Sequence, residues 1–211
     1  MRRLGLWGAA LAALLATVGT AAPAEPYGLR GTVVGLADDI LTVMNDDEET
    51  FEVRLTEDTG RFAVTSAKWS DIEAGQFVGI TSIESGGQRV ALEVHIFAED
   101  LRGTGEGHYP WDLVKDPNMM TNATVAEIEE VNPAQRQLRL TYEEGEGESA
   151  TAGEQIIVVP DFVDVVLLAK GEDPALIAPD RRAFLLVQDA EDGPPTALAV
   201  AVGLEGATPP M

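Results

Sequence analysis

Residues 31–36, Gly-Thr-Val-Val-Gly-Leu, have a counterpart in residues 123–128, Ala-Thr-Val-Ala-Glu-Ile, and the reading of the fold turns on that pair. Self-similarity at a distance is the mark of a duplicated unit, so it is followed outward before any other argument. Downstream of each copy comes a turn and a short alternating strand, Ile40-Leu41-Thr42-Val43 in one case and Gln137-Leu138-Arg139-Leu140 in the other. Acidic turns follow, Asn45 to Glu49 and Glu143 to Glu148, and then β-rich runs Phe51 to Leu55 and Gln155 to Val159. The closing segments agree too. Asp71-Ile72-Glu73-Ala74-Gly75-Gln76 leads into Phe77-Val78-Gly79-Ile80, and Leu176 to Arg181 leads into Ala183 to Val187. Each half ends on a strand with Ala-Leu in the same place, Ala91 to Ile96 and Ala197 to Val202.

Five short strands per half is the content of a small closed or partly closed barrel, so the expected class is all-β with two tandem five-stranded barrels. The boundaries that follow are residues 25–100 for the first barrel, 101–121 for a structured linker, 122–205 for the second barrel and 206–211 for a tail. Helix is scarce, with short turns near Ser70–Glu73 and Pro174–Ile177 as the best candidates. Along the first closing strand, period two sends Val90, Leu92, Val94 and Ile96 to one face and Ala91, Glu93, His95 and Phe97 to the other, outward from the barrel. The second copy has Ala201 where the first has His95, so a barrel core does not require that histidine.

Before the first barrel, Arg2 and Arg3 precede an apolar run from Leu4 to Val18 and then small residues, the pattern of a secretory signal peptide over 1–24. Ala22-Pro23-Ala24 places the cut before Glu25, which gives an expected periplasmic or secreted product with no membrane insertion after cleavage. The sequence has no cysteine, which excludes disulfides, thiolate chemistry and a cysteine lipid anchor. Losing the two leader arginines takes the formal charge from −22 to −24, a density that repels phosphate backbones and argues against nucleic acid as a partner. Cations, basic proteins and neutral ligands are left as partner classes.

The Gly-x-Val start, the x-Leu-Thr-Val strand, the Asp-Ile-x-x-Gly-Gln-x-Val turn and the final Ala-Leu-x-Val strand resemble a bacterial exported domain family of unknown function with an oligonucleotide/oligosaccharide-binding (OB)-like barrel. Residues 29–97 carry the resemblance best and 122–203 more loosely. Arg102-Gly-Thr-Gly-Glu-Gly-His108-Tyr-Pro-Trp-Asp-Leu113, with Met120-Thr-Asn-Ala-Thr-Val125, is similar to the linker signature of a proteobacterial subfamily. The resemblance implies OB-like barrels and export. A fold of this kind hosts unrelated ligands and does not choose one.

Candidate chemistry concentrates in residues 103–122, GTGEGHYPWDLVKDPNMMTN, read as a loop with one of two histidines, one of three tryptophans and two of five methionines. Its glycines lack the Lys-Ser/Thr and the following helix of a phosphate loop. No Gly-x-Ser-x-Gly elbow or His-Glu-x-x-His occurs, and the acidic pairs Asp38-Asp39, Asp46-Asp47 and Glu143-Glu144 lack calcium-loop spacing. The expectation is therefore a non-catalytic binding or envelope-interaction module. Its ligand or protein partner would sit in the cleft between barrels against Arg102, His108, Tyr109, Trp111, Asp112, Met120 and Asn122. Packing of those same residues between the barrels is the competing reading. A metal site is a further alternative: His95 and His108 with Met119 and Met120 suit copper, and the histidines with Glu106 or Asp112 suit zinc. An enzyme with an acidic site is the third class.

Overall fold

The computed structural model describes residues 25–132, 135–145 and 149–209. The proposed leader over 1–24 lies outside the described residues. The first half of the sequence forms β1 (Tyr27–Ala37), β2 (Ile40–Met44), β3 (Thr50–Arg54), β4 (Gly60–Ala67), β5 (Phe77–Ser85) and β6 (Gln88–Phe97). A short strand β7 (Gly107–Trp111) precedes the second half, which forms β8 (Asn118–Asn132), β9 (Gln135–Glu144), β10 (Thr151–Pro160), β11 (Val165–Lys170), β12 (Arg182–Gln188) and β13 (Thr196–Gly203). The protein is all-β, with 3₁₀ turns among the described residues at Trp69–Asp71, Glu99–Leu101 and Pro174–Leu176.

Strand pairing gathers these elements into two rings, and neither ring is one half of the sequence. β1, β2 and β3 close with β12 and β13: β1 pairs β12, β12 pairs β13, and β13 meets β3 at Thr196 and Arg54. We call this ring one. Ring two closes β8, β9 and β10 with β5 and β6, through β5–β8 and the parallel contact of Ile157 and Val158 with Arg89 and Val90. Each half thus gives three strands to one ring and two to the other, which corrects the expectation of one barrel over 25–100 and another over 122–205.

The exchange is carried by the two strands that were not expected, β4 and β11. β4 runs parallel to β13, β11 runs parallel to β6, and the two pair antiparallel with each other from Val165↔Ala67 to Lys170↔Phe62. A strand of eight residues advances the chain by about 26 Å, enough to carry it out of one ring and start β5 on the other. The two halves are related by a quasi-two-fold axis through this pair. Gly75 N–H donates to Val125 O and Val125 N–H to Gln76 O; at the matching place Asp180 N–H donates to Val33 O and Val33 N–H to Arg181 O. Gly75 and Asp180 share the left-handed turn position, with φ of 90° and 67°.

Three apolar clusters hold the assembly. Val33, Leu41, Val43, Val53, Leu185 and Val200 fill ring one, and Val78, Ile80, Val94, Leu138, Leu140 and Ile157 fill ring two. A third cluster, including Phe77, Phe97, Val166, Phe184 and Ala201, lies between the rings. Each buried Val, Leu, Ile or Phe in these clusters contributes about 1.5–3 kcal/mol, so the inter-ring layer adds to the stability that the two ring interiors supply.

Candidate functional site

The segment expected as a loop is a hairpin. β7 pairs β8 from Gly107↔Asn122 to Trp111↔Asn118, adding a fourth strand to the β6–β5–β8 sheet of ring two. Residues paired across an antiparallel sheet point to the same face, and successive rows alternate. One row is His95, Gly79, Asn122 and Gly107; two rows along, on the same face, come Glu93, Thr81, Met120 and Tyr109. That face looks toward ring one, so the residues expected to point outward from the barrel are buried: Glu93 is 3% exposed and His95 1%.

Charge inside such a layer is costly unless each polar atom is met. Glu93 Oε1 accepts from Thr81 N–H at 2.9 Å and from Thr81 Oγ1 at 2.6 Å, and Glu93 Oε2 lies 3.1 Å from His95 Nδ1. The imidazole stands edge-on to Phe97, with ring centroids 4.8 Å apart. Gly79 makes room for it: a Cβ there would run into His95 Nε2 and Asn122 Oδ1. Asn122 Nδ2 donates to Thr104 O and to Tyr109 Oη, both at 3.1 Å, which ties the Gly103–Gly107 turn over the row. Burial raises the Tyr109 phenol above its ordinary value. This is a carboxylate–imidazole pair sealed beneath a hairpin. Thr81, the hydroxyl beside it, is bound to the carboxylate and does not address the imidazole.

Of the residues expected to line a cleft between barrels, several do meet there. Trp111 packs on Phe184 of ring one at 6.0 Å and on Tyr109 at 6.1 Å, and Asp112 pairs with Arg30 at 2.8 Å while the Arg30 guanidinium lies over Phe184. Met120 is buried on the same face as Tyr109. Arg102 lies apart, bonded to Glu99, to Gly75 O and to Thr124 Oγ1. The Arg102 guanidinium lowers the Glu99 carboxyl below its usual range. His108 is in the intervening row, so it faces away from His95; its Nδ1 is 2.8 Å from Thr121 Oγ1 and its ring lies 6.2 Å from Tyr142. Burial lowers the His108 imidazole below its ordinary value, Arg89 adds to this, and Glu144 opposes it.

The same alternation divides the proposed metal ligands. His95 and Met120 share one face, and His108 and Met119 share the other, so the four do not surround a common point. Among the described residues no group of three or more His, Asp or Glu side chains is placed to hold a metal ion.

Open recesses lie elsewhere. One of about 440 Å³ is lined by Lys68, Trp69, Arg136, Asp161, Asp164 and Thr208, among others, and others of about 420 and 570 Å³ flank Lys170 and Glu172. None of the three is lined by a histidine. Sequence reasoning passed over Glu93, Thr81 and Thr104 as members of the buried network. The signal for Glu93 was the Glu-x-His spacing on one strand face.

Comparison with known proteins finds no matching family model, no matching curated protein and no matching solved structure.

Proposed function

We propose that this protein is an exported, non-catalytic binding or envelope-interaction module built on two OB-like barrels. The OB-like assignment rests on the order of strands around each ring, first, second, third, fifth, fourth, with the third and fifth parallel: β1-β2-β3-β13-β12 and β8-β9-β10-β6-β5. Export rests on the leader-like residues 1–24. The observation that carries the functional reading is the contrast between site and surface. The Glu93–His95 pair, the one carboxylate–imidazole contact among the described ion pairs, is closed to substrate, while the open recesses offer aromatic, cationic and carboxylate side chains without a histidine base. An open recess with aromatic and charged side chains has the fittings of a binding site.

The test is to produce the full chain with its own leader in a bacterial host. Recovery from the osmotic-shock fluid with Glu25 as the first residue is expected, together with a bound mass in native mass spectrometry that is released on denaturation. Retention in the cytoplasm would contradict export. Turnover of an ester, phosphoester or glycoside by the purified chain would replace the binding reading with an enzymatic one.

A further inference from the structure

The quasi-two-fold axis supplies an internal control for every surface feature, because whatever the fold needs in one ring it also builds in the other. At the end of β10, Val163 N–H donates to Pro160 O at 3.2 Å, and at the end of β3 Thr59 N–H donates to Thr56 O at 3.2 Å. The two turns are the same turn. In ring one its middle holds Asp58; in ring two it holds Phe162, which is 81% exposed. The strand beside it differs in the same sense. Leu41 of ring one and Leu138 of ring two are both core residues paired to the preceding strand, and two positions before them stand Asp39 and Arg136. Asp39 is bonded to Arg54 at 2.7 Å. Arg136 instead lies over the ring of Trp69, 4.9 Å from its centroid, and the 3₁₀ turn that offers Trp69 here offers Pro174 in the other half.

Arg136 and Trp69 meet in the recess of about 440 Å³, which Asp161 and Val163 also line, while Phe162 between them stands exposed outside it. Its ring-one counterpart is divided between two recesses that share Glu57 and Arg61, one of about 570 Å³ with Phe62, Leu101, Lys170 and Glu172 and one with Asp38, Asp39 and Leu55. Neither holds a cation over an aromatic ring among the described residues, where the two such contacts are Arg30 on Phe184 and Arg136 on Trp69. The ring-two recess has Lys68 and Arg136, neither within ion-pair distance of a carboxylate among the described residues. An unpaired arginine on an indole, in a chain that otherwise repels anions, is an anchor for negative charge with an apolar platform beside it. Asp161 and Asp164 on the same wall offset two positive charges, which disfavours a polyanion such as a phosphate chain.

We propose that the Trp69–Arg136 recess of ring two is a binding site for a small monoanion with a flat apolar body, the anionic group on Arg136 and Lys68 and the apolar body against Trp69. The proposal rests on the binding-module reading and gives it a location and a ligand class.

The experiment uses the full chain carrying Trp7→Phe and Trp111→Phe, so that Trp69 is its sole tryptophan, and 1-naphthoate as the probe. Saturable change in Trp69 emission is expected, with affinity at least about tenfold weaker for the neutral 1-naphthamide and at least about tenfold weaker after Arg136→Asp, which installs the residue type of ring one. Lys68→Gln should weaken binding in the same direction, and Asp39→Asn in the ring-one recess should leave it unchanged. Circular dichroism and melting of each variant establish that the fold is kept, and the milder Lys68→Gln decides the matter if Arg136→Asp does not fold. Absence of saturation, equal binding of the amide, or indifference to both cation variants would overturn the site. If naphthoate fails while a native mass still accompanies the protein, the recess is excluded and the binding-module reading stands; if neither is seen, both fall.

Discussion

The rows that face each other across the inter-ring layer show how one backbone pattern accepts two chemistries. In ring two the row is Asn122, Gly79 and His95; in ring one the matching row is Arg30, Phe184 and Ala201. Large and small have changed places: Gly79 faces His95 where Phe184 faces Ala201. Because the rows pack against one another, the bulk of Phe184 and the bulk of His95 arrive from different strands and fit into one layer, as a close-packed interior demands. The neighbouring positions follow suit. Ring two has Thr81 opposite Glu93, and ring one has Leu186 opposite Ala199. Ring two therefore carries a hydrogen-bonded polar pair in a place where ring one is apolar, and the duplicated fold itself does not require it.

The largest way to break that contrast is at Glu93. Glu93→Ala strips the acceptor from Thr81 N–H and the partner from His95 Nδ1 in a site closed to water, and should cost about 3–5 kcal/mol in chemical denaturation. The double variant Glu93→Ala/His95→Ala places the Ala199/Ala201 pattern of ring one into ring two. Its loss should fall short of the sum of the two single losses by about 1–3 kcal/mol, the coupling of one contacting pair. Strict additivity would mean that the two side chains do not act as a unit.

A smaller effect tests the other histidine. Burial, aided by Arg89, holds the His108 imidazole below its ordinary value of 6.5, so the folded chain binds that proton less readily than the unfolded chain does. The resulting stability is present above the ordinary value and is lost as pH falls below it toward the lowered folded value. Denaturation midpoints at about pH 7.5 and pH 5.5 should differ in the wild type, and the difference should shrink in His108→Gln. A difference that is unchanged in His108→Gln would assign the pH dependence to the carboxylates.

Much of this was legible in the chain. The stretches beginning at Gly31 and Ala123 fall within β1 and β8, and the 3₁₀ turns at Trp69–Asp71 and Pro174–Leu176 overlap the turns expected near Ser70–Glu73 and Pro174–Ile177. The match of His95 with an alanine also holds, since Ala201 pairs Phe184 as His95 pairs Gly79. The exchange of strands was not legible. Period-two alternation records that Val33 faces a core, and it is the same whether the strand beside it comes from residue 77 or residue 182. β4 and β11 escaped because Gly60–Ala67 and Val165–Lys170 do not resemble each other, although they occupy matching places. Glu93 and His95 were sent to the solvent because alternation does not say which face a second ring covers, and it also misplaced Ala91: a bulge at Leu92, between the pairs Thr81↔Glu93 and Ser82↔Ala91, turns Ala91 into the ring-two core with Val94 and Ile96.

The exchange of strands underlies every equivalence between the rings, and a cysteine-free chain makes it directly measurable. Thr32 and Arg182 are Cα partners on β1 and β12, with Arg182 Nη1 3.4 Å from Thr32 Oγ1. Were each half closed on itself, Thr32 would instead face Phe77, the residue that its counterpart Thr124 pairs with. Under mild oxidation, Thr32→Cys/Arg182→Cys should form an intramolecular disulfide in the folded monomer, seen by loss of free thiol and faster migration, while Thr32→Cys/Phe77→Cys should stay reduced. Oxidation of the 32–77 pair in place of the 32–182 pair would contradict the exchanged rings.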